Sequence, residues 1–117
     1  VTAEDIGIPQ QYSLYQQLSQ KDGLTAIMDA RRLLLNPTDQ LATLCTKIGI
    51  SFDENMLRWP AGPRPEDGIW GKHWYANVHK STGFKPYQER TYELTPKLST
   101  IADKCLPFYE EMLAVAV

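Results

Sequence analysis

The sequence predicts a mainly α-helical fold with one short strand. Three observations predict it. Apolar residues recur at helical spacing along much of the 117 residues. Prolines, glycines and capping residues stand at the junctions between those stretches. Only residues 24–29, from Leu24 to Asp29, form a short, partly β-branched run bounded by a glycine, Gly23.

Pro9, at a first-turn position, opens a helix over Gln10 to Gln20 that stops near Gly23, with Tyr12, Tyr15 and Leu18 on one face. After the strand, Asn36-Pro37-Thr38 breaks the chain. Asn36 or Thr38 can cap a helix running through Ile48, with Leu41, Leu44, Cys45 and Ile48 at 3.6-like spacing and Gly49 as its stop. Ser51 or Asp53 starts a short helix that reaches about Arg58. From Trp59 to Gly68 there are three prolines and two glycines, so this stretch is a loop. Ile69 to Val78 reads as one helix, because Trp70, Trp74 and Val78 align, and Glu66 with Asp67 would complement its N-terminal dipole. Residues 80–93 are irregular. Thr95-Pro96 opens a last helix carrying Leu98, Ile101, Ala102, Cys105, Tyr109 and Met112 on one face, with a kink expected from Pro107.

One strand cannot make a sheet, since its backbone donors and acceptors need a neighbour. The candidates are a segment N-terminal to this chain, a second copy pairing through Leu24 to Asp29, or residues 85–94 as a weak hairpin. The length allows one domain at most, spanning residues 1–117.

A content of 43% hydrophobic and 22% charged residues is too apolar for a disordered chain. No apolar run nears the roughly 20 residues that span a bilayer, so a membrane protein is not expected. The N-terminus shows no basic-then-apolar leader, and the absence of an initiator Met suggests trimming. Cys45 and Cys105 both fall in helical apolar patterns, which suits buried free thiols and a reducing, cytoplasmic setting. The net charge of −2 is uneven: Arg58 to Arg90 carries +3, with His73 and His79 inside it. A local positive field suits an anionic ligand, but so small an excess does not point to nucleic acid.

Three stretches in order then resemble the C-terminal half of the sulfotransferase superfamily. They are closest to its bacterial and plant members, including sulfotransferase-like domains attached to aminotransferase-like proteins. The first runs from Ala26 through Pro37 and on from Leu41 to Ile50. It is similar to the family's strand, acidic turn, Asp-Pro break and helix ending in Leu-Gly. The second runs from Met56 through Trp70, then Trp74-Tyr75 and Val78 to Phe84, and is the most specific. The third, Cys105 to Leu113, is like the family's closing helix. The resemblance implies the C-terminal part of an α/β P-loop fold without the N-terminal strand–loop–helix half. It also implies 3'-phosphoadenosine 5'-phosphosulfate as sulfuryl donor and no metal.

In that family the donor's phosphosulfate lies in an N-terminal loop, and the catalytic base also comes from the N-terminal half. No Gly-rich Lys-Ser/Thr loop occurs in these residues, so no catalytic residue is assigned and activity is not expected from them alone. What the resemblance leaves here is a wall for the 3'-phosphate, which the family builds from Arg-Lys-Gly-x-x-Gly-Asp-Trp. Gly68 and Trp70 match its second glycine and its tryptophan, and Arg64 falls at the lysine. Pro63, Pro65 and Ile69 depart from the pattern. So do Arg31 and Arg32, which stand where the family carries an acidic pair, so the contact made there must be lost or replaced.

Other candidates have blander readings. His73 and His79 lack carboxylate or thiol neighbours at ligand spacing, which disfavours a metal site. Trp59, Trp70, Trp74 and Tyr75 could stack on a ring, but tryptophans at i, i+4 more often pack in a core. The alternative to a sulfotransferase portion is a free-standing, non-catalytic helical protein that oligomerises or binds a partner.

Overall fold

Three helices in this chain begin where a side chain satisfies one of their first free N–H groups. In the computed structural model, which describes residues 1–117, Thr2 Oγ1 accepts from the Asp5 amide while Asp5 Oδ2 accepts from the Thr2 amide, closing a capping box on α1 (Ala3–Ile6). Asn36 Oδ1 accepts from the Asp39 amide to start α4 (Pro37–Ile48), and Thr95 Oγ1 accepts from the Leu98 amide to start α7 (Pro96–Ala114). Pro9, Pro37 and Pro96 each occupy a first-turn position, where no amide is needed. The others are α2 (Ile8–Gln20), α3 (Ala30–Leu35), α5 (Gly71–Trp74) and α6 (Ala76–Lys80).

The expected strand does not form. Residues 24–29 belong to no ladder, the chain holds no sheet, and residues 85–94 make no hairpin. The reason is the one that made the strand suspect: a strand is defined by its neighbour, and these 117 residues offer none. A backbone bond from the Val117 amide to the Ile27 carbonyl, at 2.9 Å, ties the segment to the end of the chain. The β-type pairing that does occur is an isolated antiparallel bridge between Arg58 and Gly83, which the sequence pattern did not signal.

Four helix readings also change. The helix expected from Ser51 or Asp53 to about Arg58 is a single 3₁₀ turn, Glu54–Met56. The stretch expected as one helix over Ile69 to Val78 is two short ones, α5 and α6, parted at Tyr75. The short α1 and α3 went unforeseen. By contrast α2, α4 and α7 lie where expected, Gly49 ends α4 in the left-handed conformation, and α7 runs unbroken through Pro107.

The residues divide into two compact units: 1–30 with 88–117, and 31–87. In the first, α2 packs on α7, and α1 packs on both. Tyr12 lies 4.8 Å from Phe108, and its hydroxyl donates to Glu111 at 2.5 Å. Ala3, Cys105 and Met112 are buried there, and the Tyr109 hydroxyl donates to Asp29 at 2.8 Å. In the second, Cys45 is buried beside Met56, with 3.8 Å between sulfurs. The guanidinium of Arg31 lies over the Tyr87 ring, 5.3 Å from its centroid, so a cation–π contact stands where the resemblance carries an acidic pair. Both cysteines are free thiols, and no helix is long and apolar enough to cross a membrane.

Burial is thin. No side chain is less than 2% exposed, and large apolar residues such as Leu14, Leu35, Ile69, Trp74 and Tyr92 are half or more open to solvent. The exposed area is 9240 Å². A compact globule of this length exposes about 6,500 Å², and two separate globules of half its size about 7,800 Å². The excess stands even if the units are counted apart.

Candidate anion-binding site

Two stretches of the second unit, 59–68 and 79–84, are sewn together. The Trp59 amide donates to the Thr82 carbonyl at 3.0 Å, and its indole Nε1 donates to Ser81 Oγ at 2.8 Å. Trp59 and Phe84 meet edge to face at 5.3 Å, next to the Arg58–Gly83 bridge. The Gly62 amide donates to the His79 carbonyl at 2.7 Å. A Pro-rich loop cannot hold itself by a helix or ladder. Here its shape comes from a second segment that supplies the missing partners.

The last tether is a side-chain pair. Pro65–Asp67 forms one turn of 3₁₀ helix, which carries the Asp67 carboxylate back onto the Arg64 amide at 2.8 Å. The same oxygen lies 2.8 Å from Nε2 of His79. An ionised carboxylate only accepts, so Nε2 carries the shared hydrogen. The Arg64 amide first, and His79 second, hold the Asp67 carboxyl below its ordinary range. Asp67 is thus an acid in the first turn of that 3₁₀ helix, where its carboxylate accepts from the N-cap amide of Arg64.

Gly68 follows with φ 67 and ψ −172, a conformation open essentially to glycine alone. Gly71 is buried, and a Cβ there would stand 2.8 Å from the Cβ of Asp67, so the carboxylate reaches His79 only past a glycine.

A cavity of about 330 Å³ opens on this loop, lined by Pro63, Arg64, Asp67, Gly68, Lys72 and His79 among others. Of the three residues singled out from sequence, Arg64 and Gly68 come together in it. Trp70 does not: it lies outside the lining, 57% exposed, and stacks on Trp74 with rings 5.2 Å apart and 12° from parallel. The expected core packing of that pair is thus not what the chain adopts; of the three tryptophans, Trp59 is the shielded one. Sequence reasoning missed Lys72 and His79 as lining residues. Their only signal was membership of the positive segment, since no local spacing joins His79 to Asp67.

In the first unit a larger apolar groove of about 450 Å³ runs along residues 24–30 between α2 and α7, with Leu14, Leu18, Ile27 and Met112 in its wall. No cluster of three or more metal-ligating side chains occurs.

The sulfotransferase-domain family profile matches residues 1–116, and the chain belongs to that family. Among curated proteins it is 38% identical over 105 residues to branched-chain-amino-acid aminotransferase-like protein 2 of Arabidopsis thaliana. It is 38% identical over 107 residues to the like protein 1 of the same plant. Each match takes in 90% of this chain, and the chain spans 19% of the length of those relatives. No solved structure matches.

Proposed function

We propose that this chain is the C-terminal portion of a sulfotransferase-like protein that uses 3'-phosphoadenosine 5'-phosphosulfate, and that it is not catalytic alone. The observation that carries the reading is the family match over nearly the whole chain. In support, Arg64 and Gly68 line one cavity, where a guanidinium and a backbone free of Cβ suit a phosphate. These residues fit the donor's 3'-phosphate; for its phosphosulfate, nothing in the 117 residues resembles a P-loop. That part, the catalytic base and the acceptor site would come from an N-terminal half. The unladdered residues 24–29 and the apolar groove beside them suit a chain that awaits a neighbour.

Titration with adenosine 3',5'-bisphosphate tests this. With an N-terminal strand–loop–helix half of the family joined to the chain, the nucleotide should bind, and Arg64→Ala should weaken it at least about tenfold. Equal affinity for adenosine 5'-monophosphate, or tight binding by the 117 residues unaided, would reject the reading. A second reading, a free-standing helical protein that self-associates, draws on the same exposed apolar area. A monodisperse dimer in sedimentation, with no nucleotide affinity after joining, would favour it.

A further inference from the structure

The cavity beneath the Pro-rich loop gathers three basic side chains, Arg64, Lys72 and His79, around one acid, Asp67. The acid is already engaged: its Oδ2 accepts from the Arg64 amide and from His79 Nε2, both at 2.8 Å. With Nε2 held by the carboxylate, the second ring nitrogen, Nδ1, is the atom where a further proton would be added. Counting ionised lining groups, the cavity carries +1 when the imidazole is neutral and +2 when it is protonated. The Asp67 carboxylate meets the ring at 2.8 Å and the Tyr75 ring stands edge-on to it at 6.1 Å, while Arg64 and Lys72 are the other charged groups that line the cavity.

We propose that this cavity is a binding site for a tetrahedral dianion whose occupancy is coupled to protonation of His79, with Lys72 as its second fixed cation. The physics is linkage. A dianion inside the cavity is attracted to the imidazolium and stabilises it, so binding takes up a proton and strengthens as pH falls. Asp67 supports both states, because it holds the ring in place and offsets the charge that the ring gains. The neutral pair leaves a weakly positive cavity, and the protonated one a doubly positive cavity. The proposal rests on the reading that this loop faces a phosphate, and it adds two residues and a regulator to that surface.

Inorganic sulfate is the probe, because its charge does not change between about pH 6 and 8, whereas phosphate titrates there. The ring signals of His79 and the backbone amide of Gly68 are followed by NMR in the 117-residue chain during sulfate titration. Affinity should be about threefold or more tighter near pH 6 than near pH 8, with saturating shifts at both groups; linkage to one proton caps the change at about tenfold per pH unit. His79→Gln should erase the pH difference. Lys72→Gln, at an exposed position that leaves the fold alone, should weaken sulfate at both pH values and keep the ratio.

Affinity independent of pH in the native chain, shifts that never saturate, or a ratio unchanged by His79→Gln would overturn the proposal. Should His79→Gln not fold, the Lys72→Gln series decides, since equal sulfate affinity in that variant also overturns it. A coupled sulfate site in a joined protein that shows no preference for a 3'-phosphorylated nucleotide would sustain this inference and sink the donor reading. Nucleotide binding that needs the 3'-phosphate, yet ignores pH and His79, would do the reverse.

Discussion

Asp67 and His79, twelve residues apart, meet at 2.8 Å between Oδ2 and Nε2, and this contact closes the Pro-rich loop onto α6. Three backbone or indole hydrogen bonds seat the rest of the loop, through Trp59 and Gly62. Of these tethers, only the Asp67–His79 contact is made between two side chains of residues that line the cavity.

The pair sets an acid sensitivity. The Arg64 amide, then His79, holds the Asp67 carboxyl below its ordinary value. A carboxyl depressed in the fold stabilises it at pH above the unfolded value, and that stabilisation is lost as pH falls through the folded value. The second unit should therefore weaken as pH drops below the usual carboxylate value of about 4. Urea unfolding read by Trp59 fluorescence should show the midpoint falling over this range in the native chain, and falling less in Asp67→Asn. Parallel curves for the two proteins would show that the contact contributes nothing.

Gly71 should not accept a side chain. Its Cβ would stand 2.8 Å from that of Asp67, and the position is buried. Gly71→Ala should cost about 1–3 kcal/mol, the usual range for overpacking, and should shift the His79 ring signals. Unchanged stability with unmoved His79 signals would mean that Asp67 does not approach α5 so closely.

In the first unit, Tyr109→Phe removes the donor to Asp29 and should cost about 0.5–1.5 kcal/mol. The loss should appear in denaturant unfolding followed by far-UV circular dichroism, with no effect on sulfate affinity, because the two sites share no residue.

The tryptophans should differ in access. Trp59 is half-buried with its indole N–H engaged, while Trp70 and Trp74 are 57% and 72% exposed. Acrylamide should quench single-tryptophan variants retaining Trp70 or Trp74 more strongly than the one retaining Trp59. The reverse order would place the stacked pair in a core.

Much of the helical frame was legible because its signals are local. Pro9, Pro37 and Pro96, with the caps Asn36 and Thr95, mark three helix starts, and Gly49 marks an end. The short α1 was readable in principle, since Thr2 and Asp5 spell a capping box. Leu24 to Asp29 has the composition of a strand, but composition cannot supply a neighbour, and the ladder is absent. The periodicity of Trp70, Trp74 and Val78 is likewise real, yet Tyr75 interrupts the helix and the stripe faces solvent. The candidate site was half legible. Family likeness pointed to Arg64 and Gly68. Lys72, close by in sequence, matched no motif, and His79 joined them only through long-range tethers that no spacing rule encodes.

That this chain is one part of a larger sulfotransferase-like domain is tested most directly by hydrogen exchange at the amides of Thr25 to Met28. In the 117-residue chain they should exchange at nearly unprotected rates, while the interior amides of α7 are retained. Joined to an N-terminal half of the family, the same amides should slow by about a hundredfold or more as they enter a ladder. Protection in the isolated chain equal to that of α7, or no change on joining, would contradict the account.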